Sequence, residues 1–364
     1  MVSFIKKNTV LVIAFTAALL TSFIIHPDKE YIGYFDFKTL SCLFCVLAVV
    51  CALKNINFFY MLARKIVQLF KTTRMCILAL VYITFIGSML IANDMALITF
   101  LPLGCFILNT VNKKEYMAFT FIMQNIAANL GGMLTPFGNP QNLYLYSHFN
   151  IENSEFLKIM LPPFVISIAL ITACCIIFVK NEELSLPDNR IEIKKGRTVL
   201  YIALFILSIL IVFRSVPYWI GLVIIPAVLF VADRKALKMV DYPLLFTFVF
   251  FFIFSGNMAR IEIVRNVFSM LLEKSTLLFS ILSCQIISNV PSAILLSQFT
   301  SNYKDLLLGV NIGGVGTLIS SLASLITFRE YVKYNPHKTK KYIAMFSTYN
   351  FAILILLTVL TPMF

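Results

Sequence analysis

Windows of about twenty mostly apolar residues recur along the whole chain, and nothing else constrains its fold as much. They fall at roughly 8–26, 37–53, 117–147, 159–180, 198–214, 215–232, 243–258, 306–328 and 342–364. Such a run matches the hydrocarbon thickness of a bilayer, where a segment must satisfy its own backbone N–H and C=O groups, so the windows read as spanning helices. Composition agrees: 60% of the 364 residues are apolar and 13% charged, with a mean hydropathy of +0.89. The expected class is an all-α polytopic membrane protein, because no stretch between windows is long enough for a soluble domain. The net charge of +13 does not call for a nucleic-acid partner, since bilayer proteins collect Lys and Arg in cytoplasmic loops. All eight cysteines lie in apolar segments. Cys42 and Cys45 have metal-motif spacing but no His or second pair nearby, so they read as packing residues and no resident metal or cofactor is expected.

Two further apolar stretches, 75–110 and 275–299, carry a polar break at their middle, at Asn93-Asp94 and at Ser288-Asn289. Their arms look too short to span alone, so each reads as a re-entrant hairpin. Amphipathic segments at 56–70 and 261–272 suit the membrane surface. Placing the N-terminus in the cytoplasm and the C-terminus outside puts 22 of the 30 basic residues on the inner face of a plasma (bacterial inner) membrane. The halves then match. Residues 1–180 form a first half with the hairpin 75–110 and an interrupted helix at 117–147. Residues 181–214 form a linker and an orientation-reversing helix. Residues 215–364 form a second half with the hairpin 275–299 and an interrupted helix at 306–328. The odd crossing inverts the second copy, so the hairpin tips enter from opposite faces and meet near the midplane. That is the inverted-repeat plan of secondary transporters.

The interruptions carry the chemistry. The first reads NLGGMLTPFGNPQN from Asn129 to Asn142 and the second NIGGVGTLISSLAS from Asn311 to Ser324. Aligned on their asparagines, they pair Thr135 with Thr317, Gly138 with Ser320 and Asn142 with Ser324. Gly and Pro break the helices and free backbone N–H and C=O groups. The new helix starts attract anions, and freed carbonyls together with Asn, Ser and Thr oxygens can ligate a small cation. The candidate substrate-binding residues are Asn93, Thr135, Gly138, Asn139, Asn142, Ser288, Asn289, Thr317, Ser320 and Ser324. Of the 17 carboxylates, only Asp94 falls at membrane depth, and no Lys, Arg or His lies in an apolar segment to neutralise it. It must take a proton or hold a cation, which makes it the candidate ion-coupling residue together with Asn93 and Asn289.

These motifs resemble those of the ion transporter superfamily that includes arsenite permeases, NhaD-type sodium/proton antiporters, citrate transporters and divalent-anion/sodium symporters. The Asn93-Asp94 hairpin and the T-P-x-G-x-P-x-N pattern from Thr135 to Asn142 are similar to the arsenite permease and NhaD branch. Ser288-Asn289 followed by Pro291-Ser292 is similar to that family's second hairpin. The resemblance implies one substrate site at the hairpin tips and unwound helices, elevator-type movement against a scaffold, and often a homodimer. It marks Asn93, Asp94, Thr135, Asn142, Ser288, Asn289 and Thr317. The dicarboxylate symporters place Ser-Asn-Thr at both tips, whereas here the triplets are Ala92-Asn93-Asp94 and Ser288-Asn289-Val290, which argues against di- and tricarboxylates. The expected function is secondary transport of a small anion or oxyacid coupled to H⁺ or Na⁺, with Na⁺/H⁺ antiport through Asp94 as the alternative. A channel fits less well, for want of a repeated filter. An intramembrane enzyme would need an embedded His, a second carboxylate or a zinc-ligand set, and ATP-driven pumping would need a P-loop.

Overall fold

A computed structural model describes residues 8–67, 69–184 and 195–361. Every apolar window becomes helix, and among the described residues there is no strand. The first half runs α1 (Thr9–Ile24), α2 (Phe37–Asn55), the amphipathic α3 (Phe58–Val67), then α4 (Thr73–Ile91) and α5 (Asn93–Thr110). The broken pair α6 (Met117–Gly131) and α7 (Pro140–His148) follows, and then the long α8 (Asn153–Phe178). After α9 (Lys195–Val212) come α10 (Tyr218–Ala232), the short α11 (Arg234–Met239) and α12 (Tyr242–Arg260). The amphipathic α13 (Glu262–Lys274) leads to α14 (Thr276–Ile287) and α15 (Asn289–Leu296). A second broken pair, α16 (Tyr303–Ile312) and α17 (Leu322–Tyr334), precedes α18 (Thr339–Leu360). From α13 onward the order repeats that of α3 to α8: an amphipathic helix, a paired turn-back, a broken pair and a long helix.

Local signals set the ends of these elements. The side chains of Asp36, Thr72, Asp241, Ser275 and Ser321 accept hydrogen bonds from the first-turn N–H groups of α2, α4, α12, α14 and α17. This satisfies donors that have no partner within the helix. Large apolar side chains stay exposed on the outer helices, including Phe23 of α1, Ile177 of α8, Val199 of α9, Val231 of α10 and Ile355 of α18. An exposed apolar girdle of this kind is what lipid covers.

One expectation changes in detail. By length and composition, α2, α4, α5, α8, α12 and the segment Pro336–Leu360 can each cross a membrane. The arms α4 and α5 have 19 and 18 residues, so each is about 27 Å long at 1.5 Å per residue, and neither is too short to span. The polar pair at the break lowers the hydropathy of the stretch without shortening the helices beside it. The arms α14 and α15, with 12 and 8 residues, do have the expected short form. Within both pairs the two arms pack against each other.

The core forms where α4, α5 and α6 pack on one another, with α5 and α6 against α17 and α7 against α15 and α16. A frame of α1, α2 and α9 to α12 packs beside it, α1 along α12 and α2 along α9, α10 and α11. Cys42 and Cys45 lie buried in α2 as free thiols, and no cluster of metal-ligating side chains occurs among the described residues.

Candidate functional site

Both turn-backs use one backbone device. Ala92 (φ 67°, ψ 150°) and Ser288 (φ 75°, ψ 158°) take a conformation that side-chain-bearing residues seldom adopt. The chain there reverses from one arm into the first residue of the next, Asn93 or Asn289. Each asparagine caps its own helix: Asn93 Oδ1 accepts from the Asp94 N–H and Asn289 Oδ1 from the Val290 N–H, both at 2.9 Å.

The tips are then tied to the breaks by matching bonds. The Asn93 N–H donates to the Gly138 carbonyl at 3.0 Å, and the Asn289 N–H donates to the Ser320 carbonyl at 2.9 Å. The Thr135 hydroxyl donates to the Met89 carbonyl at 2.7 Å, and the Thr317 hydroxyl to the Gln285 carbonyl at 3.1 Å. Asn129 and Asn311 each donate to the carbonyl one turn earlier, on Asn125 and Leu307. The break positions pair as they do when the two breaks are aligned on their asparagines, and the tip positions pair as they do when Asn93 is aligned with Asn289.

Glycine is required at two points of this construction. A Cβ on Gly131 would stand 2.2 Å from the Phe85 carbonyl oxygen, so only glycine lets α6 cross α4 so closely. Gly316, at φ 133°, turns the second break, and a Cβ there would stand 2.1 Å from Gln285 Oε1. Pro140 occupies the first position of α7, where its missing N–H costs nothing and its fixed φ suits the helix.

The two halves meet in a buried network of side-chain amides. Asn139 Nδ2 donates to Asn311 Oδ1 at 3.2 Å and Asn311 Nδ2 to Asn142 Oδ1 at 2.6 Å. Asn125 Nδ2 donates to Ser324 Oγ at 3.3 Å, and Asn93 Nδ2 to Asn129 Oδ1 at 3.4 Å. Asn93 and Asn289 are 3% exposed, and Asn125, Asn139 and Asn142 are fully buried. Through these bonds the starts of α5, α7 and α17 gather with the ends of α6 and α16 around one cluster.

The structure divides the sequence-derived candidates into two groups. Asn93, Gly138, Asn139, Asn142, Asn289, Ser320 and Ser324 belong to the buried cluster or its tethers, with Ser288 at the second tip. Thr135 and Thr317 spend their hydroxyls on the tip carbonyls. Asp94 stands apart from the amide network. Its backbone is tied to Asn93, and the residue lines a cavity of about 50 Å³ between the core and the frame. Oδ1 is buried without a hydrogen-bond partner, and Asp94 joins no ion pair among the described residues. Sequence reasoning passed over Asn125, Gln285, Ser321 and Thr327. Asn125 had a visible signal, since it lies four residues before Asn129 and so on the same face of an otherwise apolar helix. Asp241 was passed over too. It reads as one more loop carboxylate, yet it lines the same cavity as Asp94.

A model of the citrate transporter family matches residues 1–303. The chain belongs to the citrate transporter family. Among its relatives, the uncharacterized transporter MJ0456 of Methanocaldococcus jannaschii is 35% identical over 314 residues, covering 85% of each chain. The inner membrane protein YbiR of Escherichia coli is 28% identical over 320 residues, covering 85% of this chain and 84% of its own length. The silicon efflux transporter LSI3 of Oryza sativa is 29% identical over 140 residues, 38% of this chain and 28% of the rice protein. The protein is a membrane transporter of this family, it takes a small-molecule substrate, and it resides in a lipid bilayer as an integral membrane protein.

Proposed function

We propose that this protein is a secondary active transporter of a small anion or oxyacid, driven by H⁺ or Na⁺. In this reading it sits in the cytoplasmic (bacterial inner) membrane as a homodimer, with its N-terminus inside and its C-terminus outside. The two halves are inverted repeats, and α4–α5 and α14–α15 are re-entrant hairpins entering from opposite faces. The single observation that carries the reading is the twofold recurrence of the tip. Two segments of different sequence and arm length place an asparagine on the same backbone turn, cap it in the same way and tie it to the equivalent residue of a broken helix. The helix starts gathered at the cluster provide the partial positive charge that a small oxygen-bearing solute needs. The core carrying that cluster moves against the frame as an elevator. The tip triplets Ala92-Asn93-Asp94 and Ser288-Asn289-Val290 and the rice relative's printed activity favour an oxyacid over a tricarboxylate.

Asp94 holds the coupling cation. It is the carboxylate with a buried, unpartnered oxygen beside the tip, and such a group inside a membrane is held for function. In proteoliposomes offered silicic acid, arsenite, phosphate or citrate under H⁺ or Na⁺ gradients, the native protein accumulates one of them against its concentration gradient. Asp94→Asn leaves the protein folded and abolishes that accumulation, so gradient-driven uptake by the variant refutes the assignment. The second carboxylate on the Asp94 cavity also supports Na⁺/H⁺ antiport, and that reading requires Na⁺ flux against a pH gradient with no anion present.

A further inference from the structure

The cavity that Asp94 lines is walled by Leu43, Val46 and Leu47 of α2, Met95 and Ile98 of α5, Leu143 of α7, Leu244 of α12, and Leu322 and Ile326 of α17. It lies on the seam between the core and the frame, where an elevator has to slide. Its titratable lining groups are Asp94 at the hairpin tip and Asp241 at the start of α12. Asp241 is exposed and Asp94 only partly so, and one continuous cavity therefore joins a surface carboxylate to the embedded one. By the basic-residue count, the loop at 233–241 that carries Asp241 lies on the cytoplasmic side.

We infer that this cavity is a proton path, with Asp241 at its mouth as the relay that loads and unloads Asp94 from the cytoplasm. The inference rests on the transport reading above and names its coupling ion as H⁺. At roughly 10–15 Å³ per water, about 50 Å³ has room for three to five waters, with two carboxylates in its lining to hydrogen-bond them. A hard metal cation needs a shell of several oxygens brought together at one point. A proton needs only the chain of waters. Protonated Asp241 gives its proton to the adjoining water, a proton passes along the chain to the Asp94 carboxylate, and Asp241 takes another from bulk water. The same path in reverse discharges Asp94.

The surroundings of Asp241 are compatible with this role. Its Oδ1 accepts from the Leu244 N–H at 3.0 Å as the cap of α12, which leaves its other oxygen for water. The ionisable groups around it are the Cys51 thiol of α2, Lys54 near that thiol, and Asp233, which is held by Asn55 and Tyr201. Arg234, Lys235 and Lys238 occupy α11 in the same loop, with Arg234 packed over the Phe230 ring. Neither carboxylate of the pair is neutralised by an ion pair among the described residues.

Asp241→Asn is an informative variant because the asparagine oxygen still caps α12 while the group can no longer carry a proton. The reconstituted native protein and variants are followed by the infrared carboxylic-acid band assigned to Asp94 by its loss in Asp94→Asn. Exchange of that proton for deuterium from the bulk is timed. The expectation is exchange slowed by about tenfold or more in Asp241→Asn and restored in Asp241→Glu. Saturating NaCl leaves the band in place. Native-rate exchange in Asp241→Asn overturns the relay, and loss of the band on adding Na⁺ overturns H⁺ as the coupling ion. Neither result touches the transport reading, which fails separately if the native protein accumulates none of the offered solutes against its gradient.

Discussion

Removing the Asn311 side chain should loosen the joint between the two halves, and the cost can be worked from the network. Asn311 Nδ2 donates to Asn142 Oδ1 at 2.6 Å, the one hydrogen bond that oxygen receives among the described residues. Asn311→Ala therefore strands a fully buried acceptor, at about 1–3 kcal/mol. Asn139 Nδ2 also loses its bond to Asn311 Oδ1 but keeps the Asn129 carbonyl at 3.2 Å. That loss is therefore small, about 0.6 kcal/mol by the average for hydrogen bonds between membrane helices. Adding a modest cavity term, we expect a destabilisation of about 2–4 kcal/mol. Reversible unfolding in mixed micelles at increasing SDS fraction measures it. A cycle with Asn142→Ala isolates the pair, and its coupling energy should be about 1–2 kcal/mol. Destabilisation below about 0.5 kcal/mol with no coupling refutes the reasoning, because the acceptor would then have found another donor and the amide cluster would not hold the halves together.

Two other outcomes follow from local geometry. Ala92→Gly should stabilise the protein by about 1 kcal/mol in the same assay, because glycine takes the tip's backbone angles without strain, while Ala92→Val should destabilise it; the opposite order would mean the tip is unstrained. At the rim, Arg260 Nη2 donates to Asp28 Oδ2 at 2.7 Å and holds that carboxyl below its ordinary pKa. Because the folded-state pKa is the lower one, the pair stabilises the protein above the ordinary carboxylate range and ceases to as pH falls through the lowered value. Asp28→Asn should therefore lower thermal stability slightly at neutral pH and match the native protein in strong acid, and a difference that persists in acid refutes the pairing.

Much of the site was legible because its signals are local. The runs Asn129–Asn142 and Asn311–Ser324 put glycines and amides, and in the first run two prolines, where a helix cannot continue, and the structure breaks there. The tethers from Thr135 and Thr317 and from Gly138 and Ser320 fall at aligned positions because both breaks must satisfy the same freed backbone groups. The arms α4 and α5 were misjudged because hydropathy averages over a window, so two polar residues at 93 and 94 reduced the apparent length of both neighbours. Asp241 was hidden for a different reason. Its chain neighbours are ordinary loop residues, and nothing near it in sequence mentions a residue 147 positions away.

The sequence by itself determined that this is a helical membrane protein, where four of its segments are interrupted, and that Asp94 is the carboxylate set among apolar neighbours. These are properties of a few consecutive residues, fixed by helix geometry and by the absence of water in lipid. Only the tertiary structure decided that Asn139 and Asn142 meet Asn311, that Asp94 Oδ1 is left without a partner beside that cluster, and that Asp94 shares a cavity with Asp241. Such meetings depend on how helices from distant parts of the chain pack, and packing is settled by the shapes of whole surfaces that no local stretch contains.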